Sequence, residues 1–201
     1  MGDPGRPDDL LAELRAEGVA EIRGTMLVSS LRAVEERGLA EAYRRRLPAA
    51  HLERIRRLSA LAWYPMELAD AHYGAIAALI EDEAEQVRIG RETAARVQGT
   101  FLGTLLRSLA VTGVVTPHRA LTLAPKLLGR SLRGVGIRAE RTGPQGAVVR
   151  VEGLQLLRLS YCRNTFRGWF EEGLGLVAKR VETRAEPLGE HAVAFTLRWG
   201  A

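Results

Sequence analysis

The densest gathering of groups able to hold a ligand is Leu159-Ser160-Tyr161-Cys162-Arg163-Asn164-Thr165-Phe166-Arg167-Gly168-Trp169. It sets a phenol, a thiol, two guanidinium groups and two large aromatics at an expected strand-to-helix transition. A helix start offers free N–H groups and the positive end of the helix dipole, and Arg163 and Arg167 stand one turn apart. That arrangement suits a carboxylate or phosphate head, with an apolar tail running toward Trp169, Phe101 and Leu105. Tyr161, Arg163, Arg167, Trp169, Phe101 and Leu105 are therefore the expected ligand-binding residues. The competing reading is that the guanidinium groups are solvated and the aromatics are core.

Reaction chemistry finds less support. Cys162 lies between Tyr161 and Arg163, and a neighbouring cation can depress a thiol pKa. A lone cysteine entering a helix is also an ordinary small hydrophobe of the core. The four histidines, His51, His72, His118 and His191, never fall at the i, i+4 spacing of a helical zinc pair, and HExxH is absent. Asp82-Glu83 and Glu171-Glu172 are adjacent on helices, so each pair diverges and shares no substrate. No GxSxG elbow or Walker-type phosphate loop occurs. Gly134-Val135-Gly136 lacks a third glycine and opens a strand, which is not the dinucleotide fingerprint.

The groups just named need elements to position them. Residues 1–9 are rich in Gly, Pro and Asp and are expected to be a flexible N-terminus, with a single α+β domain over 10–201. Helical spacing dominates 10–128. Gly38 reads as a C-terminal stop, Pro48 as a break, Trp63-Tyr64-Pro65 as another break, and Thr116-Pro117 as a capped helix start. A helix is expected over 100–110, where Gly99 and Gly103 permit close approach to one face. After Gly129 the period changes to two. Val135–Arg141 and Ala147–Glu152 alternate around a turn, a helix follows over Asn164–Leu176, and Val177–Ala185 with His191–Trp199 form a second hairpin.

The predicted fold class is thus α+β: a helical N-terminal half packed against a four-stranded, mostly antiparallel sheet in a ββαββ C-terminal half. The alternation places Val149 with Val151 on one face and Val148 with Arg150 on the other. It also predicts that Val193, Phe195 and Leu197 are buried against the helix bearing Phe166, Trp169 and Phe170.

Composition bounds the function classes. With 201 residues, 46% hydrophobic and 26% charged, the chain can bury a full core. Only Lys126 and Lys179 among the 29 basic residues are lysine, a bias that either reflects a GC-rich genome or favours bidentate anion recognition. Acids cluster from Glu67 to Glu92, and basic residues from Arg119 to Arg141. One cysteine excludes an internal disulfide and a multi-cysteine metal site. Neither a signal peptide nor an apolar run long enough to span a bilayer is present, so a cytoplasmic protein is expected. The basic segment lacks a recognition helix and a base-stacking motif, which argues against nucleic acid.

The order of Gly24-Thr25, Tyr64-Pro65, Ile89-Gly90-Arg91, Gly99-Thr100-Phe101-Leu102-Gly103, Pro117 with Arg119-Ala120-Leu121, and Arg198-Trp199 resembles an uncharacterised family of about 200 residues expanded as paralogues in myxobacteria. More remotely, the helix–hairpin ending is similar to the ligand-binding superfamily of 4-vinyl-reductase-type, haem-nitric-oxide sensor and TRAPP domains. That resemblance implies a pocket for haem or an apolar molecule, or a dimerising scaffold. The haem sensors carry Tyr-x-Ser-x-Arg. Here Tyr161-Cys162-Arg163 departs from it at both later positions, so no cofactor is expected and haem is argued against.

The leading functional expectation is a non-enzymatic sensory or regulatory domain binding a small apolar or amphipathic ligand or a protein partner. The alternatives are a ligand-free scaffold or homo-oligomerisation module, with the acidic and basic segments pairing between subunits, and a Cys162-dependent enzyme or redox sensor.

Overall fold

The protein, seen in a computed structural model, is described over residues 21–98 and 115–200. Phe101, Leu105, the helix expected over 100–110 and the expected N-terminal segment lie outside the described residues.

Apolar residues at helical spacing build the first half. Strand β1 (Glu21–Arg23) leads into α1 (Gly24–Glu36), which buries Leu27, Ser30, Ala33 and Val34 along one stripe. Gly38, at φ +69°, ends it as expected, in a backbone region that costs glycine nothing. Pro48 separates α2 (Ala40–Arg46) from α3 (Ala49–Arg56), which turn Tyr43 and Ile55 inward. Helix α4 (Met66–Ala77) is the most enclosed of these, and α5 (Glu83–Gln98) follows it.

Trp63-Tyr64-Pro65 does more than break a helix. It forms strand β2, antiparallel to β1 with Arg23 opposite Trp63, and β3 (Leu132–Arg133) pairs with the other edge of β1. This three-stranded sheet was not expected. Strands of two or three residues are too short to display a period, and only tertiary folding brings such distant segments together.

Thr116 caps α6 (Pro117–Thr122) through a 3.3 Å bond from the Arg119 N–H. The capped start leads into two short helices, α6 being followed by α7 (Ala124–Leu128).

The second half holds the four-stranded antiparallel sheet, in the order β4 (Gly136–Gly143), β5 (Gly146–Glu152), β7 (Ala192–Gly200), β6 (Lys179–Gly189). The expected register holds: Val149, Val151, Val193, Phe195 and Leu197 are all buried. A turn of 3-10 helix, Gln155–Arg158, precedes α8 (Ser160–Gly175), which begins four residues before the expected Asn164. The early start follows from packing: Tyr161 and Cys162 are both buried, and burial outweighs their modest helix propensity. Phe195 meets the rings of Phe166 and Phe170 at 6.0 and 5.1 Å. Trp169 is partly buried and packs against the same core, which runs continuously from Ile22 to Trp199 across both halves.

Helices α5 and α8 cross at closest approach through Gly90 and Gly168. A Cβ on Gly90 would fall 2.1 Å from the Thr165 carbonyl oxygen, and one on Gly168 would fall 2.0 Å from the Val87 carbonyl oxygen. Backbone therefore touches backbone at this crossing.

Candidate ligand site and buried polar core

Four of the residues expected to hold a ligand, Tyr161, Arg163, Arg167 and Trp169, lie on α8, and both guanidinium groups are turned to the protein itself. Arg163 donates to the carbonyls of Leu157 and Arg158 at 2.7 and 2.8 Å, closing the 3-10 turn onto the helix. Arg167 donates to the Thr183 carbonyl at 2.9 Å and to Asn164 Oδ1 at 3.0 Å, and also pairs with Glu83. Thus it ties α8 to β6 and α5. Tyr161 is buried, with its ring 6.3 Å from that of Tyr73. A ligand's anionic head at Arg163 and Arg167 would have to displace these internal acceptors.

Cys162 is fully enclosed on the same helix. Burial pushes its thiol pKa up, opposing the thiolate, and the nearby Arg158 and Arg163 do not outweigh that cost. Native protein is expected to react with a thiol-specific reagent much more slowly than unfolded protein. Labelling at the unfolded rate would restore Cys162 as a candidate nucleophile.

A polar cluster that residue spacing did not reveal sits deeper. His72 is wholly buried on α4, one turn from Leu68 and one from Ile76. Its Nδ1 lies 2.5 Å from the Tyr43 hydroxyl and its Nε2 lies 2.6 Å from Ser30 Oγ. Ser30 in turn donates toward the carbonyls of Met26 and Leu27, both at 3.0 Å. One proton assignment satisfies every member: Tyr43 donates to Nδ1, Nε2–H donates to Ser30, and Ser30 donates to the α1 backbone. That assignment requires neutral histidine, and burial lowers the His72 pKa to about 3. The readable signal was its place on the apolar stripe of α4, where a polar residue must find buried partners.

The acidic stretch is largely neutralised within the chain. Asp70 pairs with Arg158, Glu83 with Arg167, and Glu85 with Arg37 and Arg88. Glu92 reaches Arg37 at 2.9 Å.

Two open clefts, of about 430 and 530 Å³, meet at Gln145 and Trp199. The first is lined by Pro117, the Gly175–Lys179 turn and Gly200. The second lies over Thr142, Val148, Thr196 and Arg198. The Trp199 ring meets His118 edge-on at 4.9 Å, and His118 Nε2 lies 3.2 Å from the Pro144 carbonyl.

The chain superposes on H-NOX structures. The A71G mutant of the K. algicida H-NOX protein, Fe(II) and unliganded, matches with a TM-score of 0.66 and 11% identity, over 90% of this chain and 97% of that one. The K. algicida protein without the mutation matches with a TM-score of 0.63, 10% identity and the same coverage. An oxygen-binding H-NOX domain related to soluble guanylate cyclases, in its oxygen complex, gives 0.54 and 11% over 90% and 96%. No curated protein sequence matches the chain. Residues 20–200 match the family described as protein of unknown function (DUF2378), and the chain belongs to that family.

The expectation of no cofactor, with haem argued against, is corrected by these matches. The fold is that of domains studied for haem distortion and haem redox potential. It persists at about a tenth of residues identical, so the lack of one short string does not separate this chain from haem-bearing relatives of the fold. Haem iron takes an axial His, Cys, Met or Tyr. Among the described residues, neither cleft has such a side chain in its lining. Both ring nitrogens of His72 are engaged, and Cys162 is enclosed. No described cluster of three or more His, Cys, Asp or Glu could hold a metal ion. No helix of the described residues is long and apolar enough to cross a membrane.

Proposed function

We propose that this chain is a non-enzymatic sensory or regulatory domain that binds a small apolar or amphipathic ligand. The observation that carries the reading is the likeness of fold to H-NOX structures across 90% of the chain. The wider resemblance to vinyl-reductase-type and TRAPP domains, and a cytoplasmic location, belong to the same proposal. Haem is itself amphipathic, a flat apolar macrocycle bearing carboxylates, and it enters the ligand candidates on the strength of the fold.

The internal hydrogen bonds of Arg163 and Arg167 bear on where a head group would bind. Exchanging them for a ligand would offset part of what the new bonds return, because the part-buried Leu157 and Thr183 carbonyls would lose their donors. A ligand at Tyr161, Arg163, Arg167 and Trp169 therefore calls for rearrangement at the start of α8.

The test is to produce the full chain with a haem precursor supplied, then record its absorption spectrum and its native mass. A Soret band with the added mass of haem would identify the ligand, and a different stoichiometric adduct would point to another amphipathic molecule. A clean apo mass, with no spectral change when hemin is titrated in, would overturn the ligand reading.

A further inference from the structure

One part of the described surface carries an excess of cationic charge. Between Glu41 and Arg57 there are six arginines and two glutamates. Arg44 and Arg56 reach those glutamates, at 3.5 and 2.8 Å. Arg45, Arg46, Arg54 and Arg57 are exposed, and among the described residues they make no ion pair or side-chain hydrogen bond. Helices α2 and α3 turn Tyr43, Leu47 and Ile55 into one core, so their charged sides face solvent. Among the described residues, the ion-paired acids of α5 and Asp70 are spent on Arg37, Arg88, Arg96, Arg158 and Arg167.

Two apolar groups follow these arginines in the chain. Leu61 is 76% exposed, more than the other large hydrophobic side chains among the described residues, and lies four residues beyond Arg57. Trp63 follows, partly buried, with the Arg133 guanidinium 4.1 Å and the Arg23 guanidinium 5.1 Å from its ring centroid. Phosphate-bearing surfaces suit unpaired arginines, whose planar forks bind phosphate oxygens two at a time. A protruding leucine beside an arginine-flanked tryptophan fits the boundary between headgroups and acyl chains. A single-stranded nucleic acid would call for an open aromatic face on which to stack a base. Guanidinium groups already stack on the Trp63 ring, and Leu61 would have no role.

We propose that α2, α3 and the loop into β2 form a docking surface for membranes carrying anionic phospholipid headgroups. The domain would lie on the bilayer, held by Arg45, Arg46, Arg54 and Arg57 with Leu61 inserted at the interface. This goes beyond the ligand reading and does not depend on it.

Co-sedimentation of the full chain with phosphatidylglycerol-containing vesicles tests the proposal against pure phosphatidylcholine vesicles. Retention by the anionic vesicles alone is expected, weakening as salt is raised. The R45E/R54E/R57E variant should bind at least about tenfold more weakly. The R138E/K179E/R184E variant changes net charge equally on exposed positions of the four-stranded sheet and should keep most of the binding. Leu61→Ser should lower affinity several-fold at every salt concentration. Circular dichroism and a thermal melt confirm that each variant is folded. Equal loss in both charge-reversal variants, or unchanged binding in R45E/R54E/R57E, would overturn the proposal. So would binding to a DNA or RNA oligonucleotide without binding to anionic vesicles.

Discussion

Gly168→Ala is expected to abolish the native packing of α5 on α8. The added methyl group would stand 2.0 Å from the Val87 carbonyl oxygen and 2.9 Å from the Arg91 nitrogen, and neither backbone group can rotate away as a side chain could. Relief requires the helices to separate, which opens the core around Ile89, Phe166 and Phe170. Overpacking of this kind costs about 1–3 kcal/mol, and more where backbone must move. Gly90→Ala meets the Thr165 carbonyl in the same way. Gly173→Ala, in the same helix but with nothing within 4 Å of the new atom, should instead stabilise by about 1 kcal/mol through helix propensity. Chemical denaturation of the three variants is the measurement. A Gly168→Ala protein as stable as the parent would show that the helices do not cross at these glycines.

The second large effect concerns pH. Because His72 has a folded pKa of about 3 and an unfolded value near 6.5, the unfolded chain binds its proton first as pH falls. The stability that neutral His72 allows is complete above about pH 6.5 and drains away as pH falls toward 3. Each unit of separation is worth about 1.4 kcal/mol, so the loss amounts to several kcal/mol across that window. His72→Gln keeps a donor and an acceptor but cannot charge. It should be about 1–3 kcal/mol less stable at neutral pH, since Tyr43 and Ser30 are less well satisfied. Its stability should also fall less steeply between pH 6.5 and 3. Parallel curves for the parent and His72→Gln would show that His72 does not set the acid dependence.

His72 also shows what residue spacing alone conveys. Testing the four histidines for metal-ligand spacing passed over the one that matters for the core, because its partners Ser30 and Tyr43 come from two other helices. The signal lay in its position on the apolar stripe of α4, midway between Leu68 and Ile76. The cluster at Tyr161–Trp169 stood out by composition, but the acceptors for Arg163 and Arg167 did not. They come from the preceding 3-10 turn, from β6, from α5 and from α8 itself, and three of them are backbone carbonyls that no side-chain pattern encodes.

Haem teaches the same lesson at the level of the fold. A short string is a local property, whereas a fold is set by the placing of apolar positions along every element, and many sequences satisfy that requirement. The match to H-NOX structures at 11% identity is a consequence.

By itself, the sequence determined most of the described helices and the two hairpins, where Gly38, Pro48 and Thr116 punctuate them, and that Val193, Phe195 and Leu197 face the core. All of these follow from period, backbone restriction and capping within a few residues. The tertiary structure alone decided the order β4-β5-β7-β6, the small sheet formed by β1, β2 and β3, the glycine crossing of α5 and α8, and the neutral His72 at the centre of a proton chain. Each of these is a relation between segments far apart in the chain. It becomes visible only when burial forces buried polar groups to find partners and lets two backbones meet where no side chain intervenes.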